Sequence, residues 1–164
     1  MVRLGYRFFS RGRVENIAGK IYFVGCGELI MVHYAADTIS DDEFELYCDR
    51  LLTYIDADGP KPVALLFGDY PPNANQRRLI KERMEKKAQM QAKRVALVSE
   101  SALVRGALTA IGWLLNNPDN SMRAFAGRDI DGALSWLAKE AIFDQAKAKQ
   151  AHAALRQAGN NTAA

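Results

Sequence analysis

Pro62-Val63-Ala64-Leu65-Leu66-Phe67 is a continuous apolar run that opens behind Asp58-Gly59-Pro60 and stops at Gly68-Asp69. It shows no alternation of polar and apolar residues. A strand of this kind buries both of its faces, as strands of a parallel sheet do. Val95-Ala96-Leu97-Val98 has the same character, and Met122 to Ala126 is a weaker third example. Helix-forming stretches long enough for crossover connections separate these runs. The fold class is therefore α/β.

Toward the N-terminus, Ile21–Val24 and Leu29–Tyr34 are β-rich and are separated by Gly25-Cys26-Gly27-Glu28, which predicts a hairpin. Residues 1–19 carry Arg3, Arg7, Arg11 and Arg13 among scattered aromatics. They read as an irregular arm or as one extra edge strand. Ser40 and Glu43 have the spacing of a capping box, and Ile39 and Phe44 that of a hydrophobic staple around it. Phe44, Tyr47, Cys48, Leu51, Leu52 and Ile55 then recur at helical spacing.

Toward the C-terminus, Asn75 to Gln91 is helix-forming but poorly amphipathic. Ile80, Met84 and Ala88 make a thin stripe, and Leu79 and Met90 fall outside it. A clearer helix starts at Ser101, with Val104, Ala107, Leu108, Ile111, Leu114 and Leu115 facing inward and Asn116-Asn117-Pro118 as its stop. A last helix follows Asp129, an N-cap residue. Its predicted buried face is Ile130, Ala133, Leu134, Leu137, Ala141 and Ile142. Past Phe143 the chain is rich in Ala, Gln and Lys. That composition predicts an extension of the same helix that frays near Gly159, with a disordered end over Asn160–Ala164.

Composition narrows the function classes. The 164 residues suffice for one ordinary core. The net charge of +3 is too small to argue for a nucleic-acid binder. Cys26 and Cys48 lie in apolar patterns on separate elements and read as buried free thiols of a reducing compartment. No apolar run approaches the roughly 18 residues of a membrane span. The N-terminal Met-Val-Arg opens no apolar segment of a secretory signal. The expected location is the cytoplasm.

The order from Ile21 to about Ile142 resembles a STAS-type domain, the fold of bacterial anti-sigma-factor antagonists. More narrowly, it resembles the divergent STAS-like group related to lipid-binding CRAL-TRIO domains. The strand pair carries the resemblance, together with Val63-Ala-Leu-Leu-Phe-Gly-Asp69, Arg94-Val-Ala-Leu-Val98, and Phe125 followed by Asp129-Ile-Asp-Gly-Ala-Leu-Ser-Trp-Leu137. It implies a mixed sheet of about five strands with four helices packed against it. It further implies a STAS-like domain over residues 20–143, with the arm or edge strand over 1–19 before it and a helical extension and disordered tail over 144–164 after it. In switchable antagonists a phosphorylatable Ser or Thr follows the third strand. Here Gly68-Asp-Tyr-Pro-Pro-Asn-Ala-Asn-Gln76 has neither, so a kinase switch of that type is not expected.

Motifs for catalysis are missing. Gly-x-Ser-x-Gly, Walker and dinucleotide fingerprints are absent, and Gly25-Cys26-Gly27 is too short for a phosphate loop. The two histidines are far apart in the chain. His33 sits in a strand pattern, where a structural or edge-exposed imidazole is the simpler role, and His152 sits in the C-terminal helix. No His/Cys cluster has zinc spacing. Asp41, Asp42 and Glu43 fall in a first helical turn, where acids complement the helix dipole.

Charge layout is the unusual feature. Asp37 to Asp58 holds eight acidic residues and one basic, Arg50. Arg77 to Arg94 holds eight basic residues and two acidic, Glu82 and Glu85. A solvated charged surface is the plain account. The functional account makes the basic helix a contact face for an acidic protein partner, or for self-association. In STAS-like domains the partner surface is the loop after this strand and the following helix. The resemblance therefore implicates Asp69, Tyr70, Asn73, Asn75, Arg77, Arg78 and Lys81. Nucleic acid is disfavoured because the segment has no aromatic stacking platform. An anionic membrane is disfavoured because the helix lacks a strong apolar face. The expectation is a non-enzymatic interaction domain without a cofactor or metal. The runner-up is a carrier or sensor of an apolar small molecule or lipid, with Met31, Trp113 and Phe125 near its cavity.

Overall fold

The computed structural model describes residues 13–54, 60–86, 92–107 and 121–162. Six strands form one mixed sheet whose spatial order is their order in the chain: β1 (Glu15–Ile17), β2 (Ile21–Cys26), β3 (Leu29–Tyr34), β4 (Val63–Gly68), β5 (Val95–Ser99) and β6 (Met122–Ala126). β1–β2 and β2–β3 pair antiparallel, and β3 to β6 are parallel. The hairpin is tighter than the sequence suggests. β2 runs through Gly25 to Cys26, which pairs with Leu29, leaving Gly27-Glu28 as the turn. β1 supplies the edge strand that was one of two readings for residues 1–19, and residues 1–12 lie outside the described set.

Five helices cover the sheet: α1 (Asp41–Tyr54), α2 (Ala74–Lys86), α3 (described over residues 102–107), α4 (Ile130–Ala138) and α5 (Gln145–Thr162). Among the described residues the count is thus six strands and five helices, one more of each than expected. Each parallel strand alternates its side chains between two apolar layers. Val63, Leu65, Phe67, Ala96, Val98 and Phe125 face Leu134, Leu137, Ala148 and Leu155 of α4 and α5. On the other side Ile30, Val32 and Tyr34 face Phe44, Tyr47 and Cys48 of α1, while Leu97 faces Val104 of α3. Helices on both faces explain why the Val63–Phe67 run needs no polar positions.

The local helix signals act as read. Ser40 N–H donates to Glu43 Oε2 (2.9 Å) and Glu43 N–H to Ser40 Oγ (3.2 Å), so the capping box closes in both directions. Ile39 and Phe44 are both buried. Asp129 Oδ1 accepts from Gly132 N–H at 3.0 Å and starts α4. Ile55, Met90 and the segment from Leu108 to Pro118, which includes Trp113, lie outside the described residues.

Several expectations are corrected. The last helix does not continue past Phe143. α4 ends at Ala138, and the chain is pinned by the hairpin turn, where Glu28 N–H donates to the Ile142 carbonyl (3.0 Å) and Glu28 Oε2 accepts from Ile142 N–H (2.8 Å). Ile142 is consequently 81% exposed instead of buried. α5 is a new helix, capped by Asp144 Oδ1 on Lys147 N–H at 3.0 Å. It is no frayed extension with a disordered end at Asn160. It runs to Thr162, buries Ala148, His152, Leu155 and Gly159 against β2 and β3, and its Thr162 hydroxyl accepts from Tyr22 Oη. Leu79, set aside as an uncovered residue, packs half-buried beside Ile80 on the α1 layer. Both cysteines are free; Cys48 is buried, and Cys26 is only half-buried, with its Sγ 4.0 Å from the Asp144 carbonyl at the α5 start.

Candidate functional site

Two polar regions lie near the C-terminal ends of the parallel strands, where sheets of this class hold ligands and partners. The first is the corner between β4 and α2. Gln76 is 1% exposed, and its amide is fully used. Tyr70 Oη donates to Gln76 Oε1 (2.6 Å), and Asn73 N–H donates to the same oxygen (3.2 Å). Gln76 Nε2 donates to the Ile39 carbonyl (2.9 Å) and to Asp41 Oδ1 (3.1 Å). Asn73 Oδ1 in turn accepts from Gln76 N–H at 2.9 Å, capping α2. Asn73 and Asn75 donate to the two Asp41 oxygens at 2.9 and 3.3 Å, and these bonds hold the Asp41 carboxyl below the usual carboxylate range.

The sequence-implied contact residues therefore divide. Tyr70 is buried structure, not surface. Asn73 and Asn75 are tied to Asp41, and Arg77 Nη1 donates to the Pro72 carbonyl at 2.7 Å. Arg78 and Lys81 stand on the outer face of α2, each with a 3.8 Å contact one turn on, to Glu82 and Glu85. Asp69 belongs to the second region described below.

The charge segregation seen in the sequence also has an internal account. α1 and α2 pack side by side, and Arg83 Nη2 reaches Glu45 (3.0 Å) and Asp49 (3.2 Å) across the seam. Acidic and basic stretches thus neutralise one another in part within the fold.

The second region is a cleft of about 710 Å³, on the α4/α5 side of the strand ends. Sheet register builds its floor, since His33, Phe67 and Val98 are neighbours across β3, β4 and β5. The His33 ring stacks on Phe67 with centroids 4.5 Å apart, and His152 of α5 packs on Phe67 at 4.4 Å. Gly159 allows this approach, because a Cβ there would lie 2.8 Å from Ala35 Cβ and 2.9 Å from the His33 ring. Gly68 closes β4 with φ 122°, a backbone state that disfavours any side chain.

Desolvation holds both imidazoles neutral. It lowers the His33 pKa against the opposing pull of the Leu155 carbonyl, and it brings His152 down to about 4, with the Arg156 guanidinium adding to both shifts. A carbonyl only accepts, so His33 Nδ1 carries the proton donated to Leu155 at 3.0 Å and Nε2 is an acceptor. Asp69 Oδ1 accepts from Ser99 Oγ (2.7 Å) and Glu100 N–H (3.2 Å). Asp37, Glu100, Arg128, Arg156 and Asn160 complete the polar lining.

Sequence reasoning missed Gln76, Arg156 and the meeting of the two histidines. A spacing signal existed for the last. Ala148, Ala151, His152, Leu155, Ala158 and Gly159 form one helical stripe, but of small residues. Met31 and Phe125 lie in the filled core beneath α4 and α5, not on the cleft. Among the described residues, no three His, Cys, Asp or Glu side chains gather to hold a metal, and no helix is long and apolar enough to cross a membrane.

Comparison with protein-family models, with curated proteins and with solved structures finds no match.

Proposed function

We propose that this chain is a non-enzymatic protein-interaction domain of STAS-like type, acting as an adaptor without a phosphorylation switch, and that it meets an acidic partner through the outer face of α2 and the corner before it. The observation that carries this reading is the contrast within that corner. Tyr70, Asn73 and Gln76 hold the backbone in one geometry, while Arg78 and Lys81 extend from it into solvent. A pre-organised surface loses little conformational freedom on binding, and its projecting cations steer an acidic partner. The element order and the absence of Ser and Thr from Gly68–Gln76 support the family and the missing switch.

The test compares baits. Wild-type protein and an Arg78→Glu/Lys81→Glu variant are used for affinity capture from the native cell. A partner recovered by wild type and lost by the variant is the expected result. Equal recovery by both removes this surface from the account.

A second reading, carrier or sensor of a small molecule, is favoured by the cleft alone. Its charged and imidazole lining suits a polar occupant, not the apolar ligand or lipid that the resemblance implies.

A further inference from the structure

His152 is 8% exposed and lines the cleft, yet its imidazole makes no hydrogen bond among the described residues. His33 gives its Nδ1 proton to the Leu155 carbonyl and leaves Nε2 without a partner. Arg83 Nε is the one side-chain nitrogen or oxygen both shut off from the surface and unpartnered among the described residues. The unpartnered nitrogens of both imidazoles therefore reach the cleft. Polar groups at this depth take a hydrogen-bond partner, and the cleft is the side from which one can arrive.

The rest of the lining narrows what arrives. Acidic and basic side chains are interleaved around the mouth. Arg128 stands at the β5/β6 end beside Glu100, since a Cβ on the adjacent Gly127 would lie 2.6 Å from the Glu100 carboxyl. Arg156 stands at the β2/β3 end, close enough to lower the His33 pKa, and Asp37 and Asp69 follow β3 and β4. No region of one sign is formed, so a simple ion finds no matching field. Phe67 and Tyr34 are 3% and 6% exposed, so neither offers an open ring face to a planar base. Hydrogen-bonding capacity of both kinds is nevertheless dense: carboxylates accept, guanidinium groups donate, and Asn160 and His152 do both.

From these observations we infer that the cleft binds an uncharged polyhydroxylated molecule of the sugar class, its hydroxyls reaching His152, His33 Nε2 and the rim. A hydroxyl offers one donor and two acceptor sites, so adjacent hydroxyls can satisfy interleaved carboxylates and guanidinium groups without carrying charge. Hydrogen bonds to such charged partners are the stronger kind. About 710 Å³ falls within the range of small-molecule sites. This inference rests on the small-molecule reading and is independent of the α2 surface.

The experiment is a set of ¹H–¹⁵N NMR titrations at pH 7.5 with D-glucose, D-galactose, D-mannose, D-ribose and myo-inositol, each used singly as the probe. Inorganic phosphate, glycine and 1-hexanol are titrated beside them. At least one uncharged polyol should move the amides of Gly68, Ser99, Gly127, His152 and Arg156 and bind more tightly than those three. His152→Phe keeps a ring on Phe67 but removes the hydrogen bonds, and should weaken binding about tenfold. Glu100→Ala, an exposed change that leaves the floor intact, should weaken it about threefold. Spectral dispersion shows whether each variant is folded. The inference is overturned if no polyol moves those amides, if phosphate, glycine or hexanol binds more tightly, or if both variants bind like wild type. Binding of one of those three in place of a polyol leaves the small-molecule reading standing, whereas silence from every probe removes both.

Discussion

The corner before α2 and the cleft beside α5 are built from similar residue types at the same end of the sheet, yet they satisfy them in opposite ways. In the corner, every polar atom of the Gln76 side chain has a partner inside the chain, and Asp41 is held by three amide side chains. In the cleft, five charged groups of both signs have no ion pair among the described residues, although Asp69 accepts from Ser99 Oγ and Glu100 N–H. Paired polar groups make the corner a structural part, and separated ones leave the cleft able to receive something. That distinction assigns roles here better than residue type does, because both regions hold carboxylates and arginines.

The largest effect expected lies at the helix that carries one wall of the cleft. Leu155 is fully buried on the β2–β3 surface, and Leu155→Ala should lower the unfolding free energy by about 3 kcal/mol in urea denaturation. A loss below about 1 kcal/mol would mean that α5 is an appendage to the domain and the cleft wall is not built. Next comes the corner. Gln76→Ala leaves Asn73 N–H without its acceptor and takes one partner each from Tyr70 Oη and the Ile39 carbonyl, which still meet at 3.1 Å, and should cost about 2 kcal/mol by the same measurement. A neutral effect would show that the network contributes nothing, and the comparison would fail on its structural side.

A pH series sharpens the cleft side. Both histidine pKa values are lowered from 6.5, that of His152 to about 4. The unfolded chain therefore binds these protons first. Stability from the neutral imidazoles is complete above about pH 6.5 and falls as the pH drops toward 4. The urea midpoint should decline between pH 7.5 and 5, and His152→Gln should flatten that decline. An equal slope in the variant would remove His152 from the account. The smallest effect belongs to the α1–α2 seam. Arg83→Gln should cost about 1 kcal/mol or less, since its partners Glu45 and Asp49 are half-exposed. The difference from wild type should shrink in high salt; a loss as large as that at Gln76 would make the charge segregation the principal support of that face.

How much was legible in the sequence follows from the range of the interactions. The capping box of Ser40 and Glu43, the Ile39–Phe44 staple and the Asp129 cap are local contacts, and they form as their spacing implies. The Val63–Phe67 run identified a strand covered on both faces because its half-buried positions, Ala64 and Leu66, are apolar like the buried ones between them. α5 was obscured because Ala148, Ala151, Ala158 and Gly159 bury by closeness rather than by hydropathy. Ile142 was assigned to a helix face that ends early, since Glu28, over a hundred residues away in the chain, pins its backbone. Gln76 looked like any polar helix residue until Tyr70 and Ile39 surrounded it. The cleft draws its five charged residues one each from five separate segments, so no motif announces it. The charge blocks were legible as blocks, but only the packing of α1 against α2 shows that Arg83 spends its charge on Glu45 and Asp49.

The central claim is that the corner's polar groups hold the fold and the cleft's charges do not. It is tested most directly by urea denaturation of a Glu100→Gln/Arg128→Gln/Arg156→Gln variant at pH 7.5. The account predicts stability within about 0.5 kcal/mol of wild type, because these exposed groups have no internal ion-pair partners to lose. A loss of about 2 kcal/mol or more, equal to that of Gln76→Ala, would show that the cleft charges are structural and would contradict it.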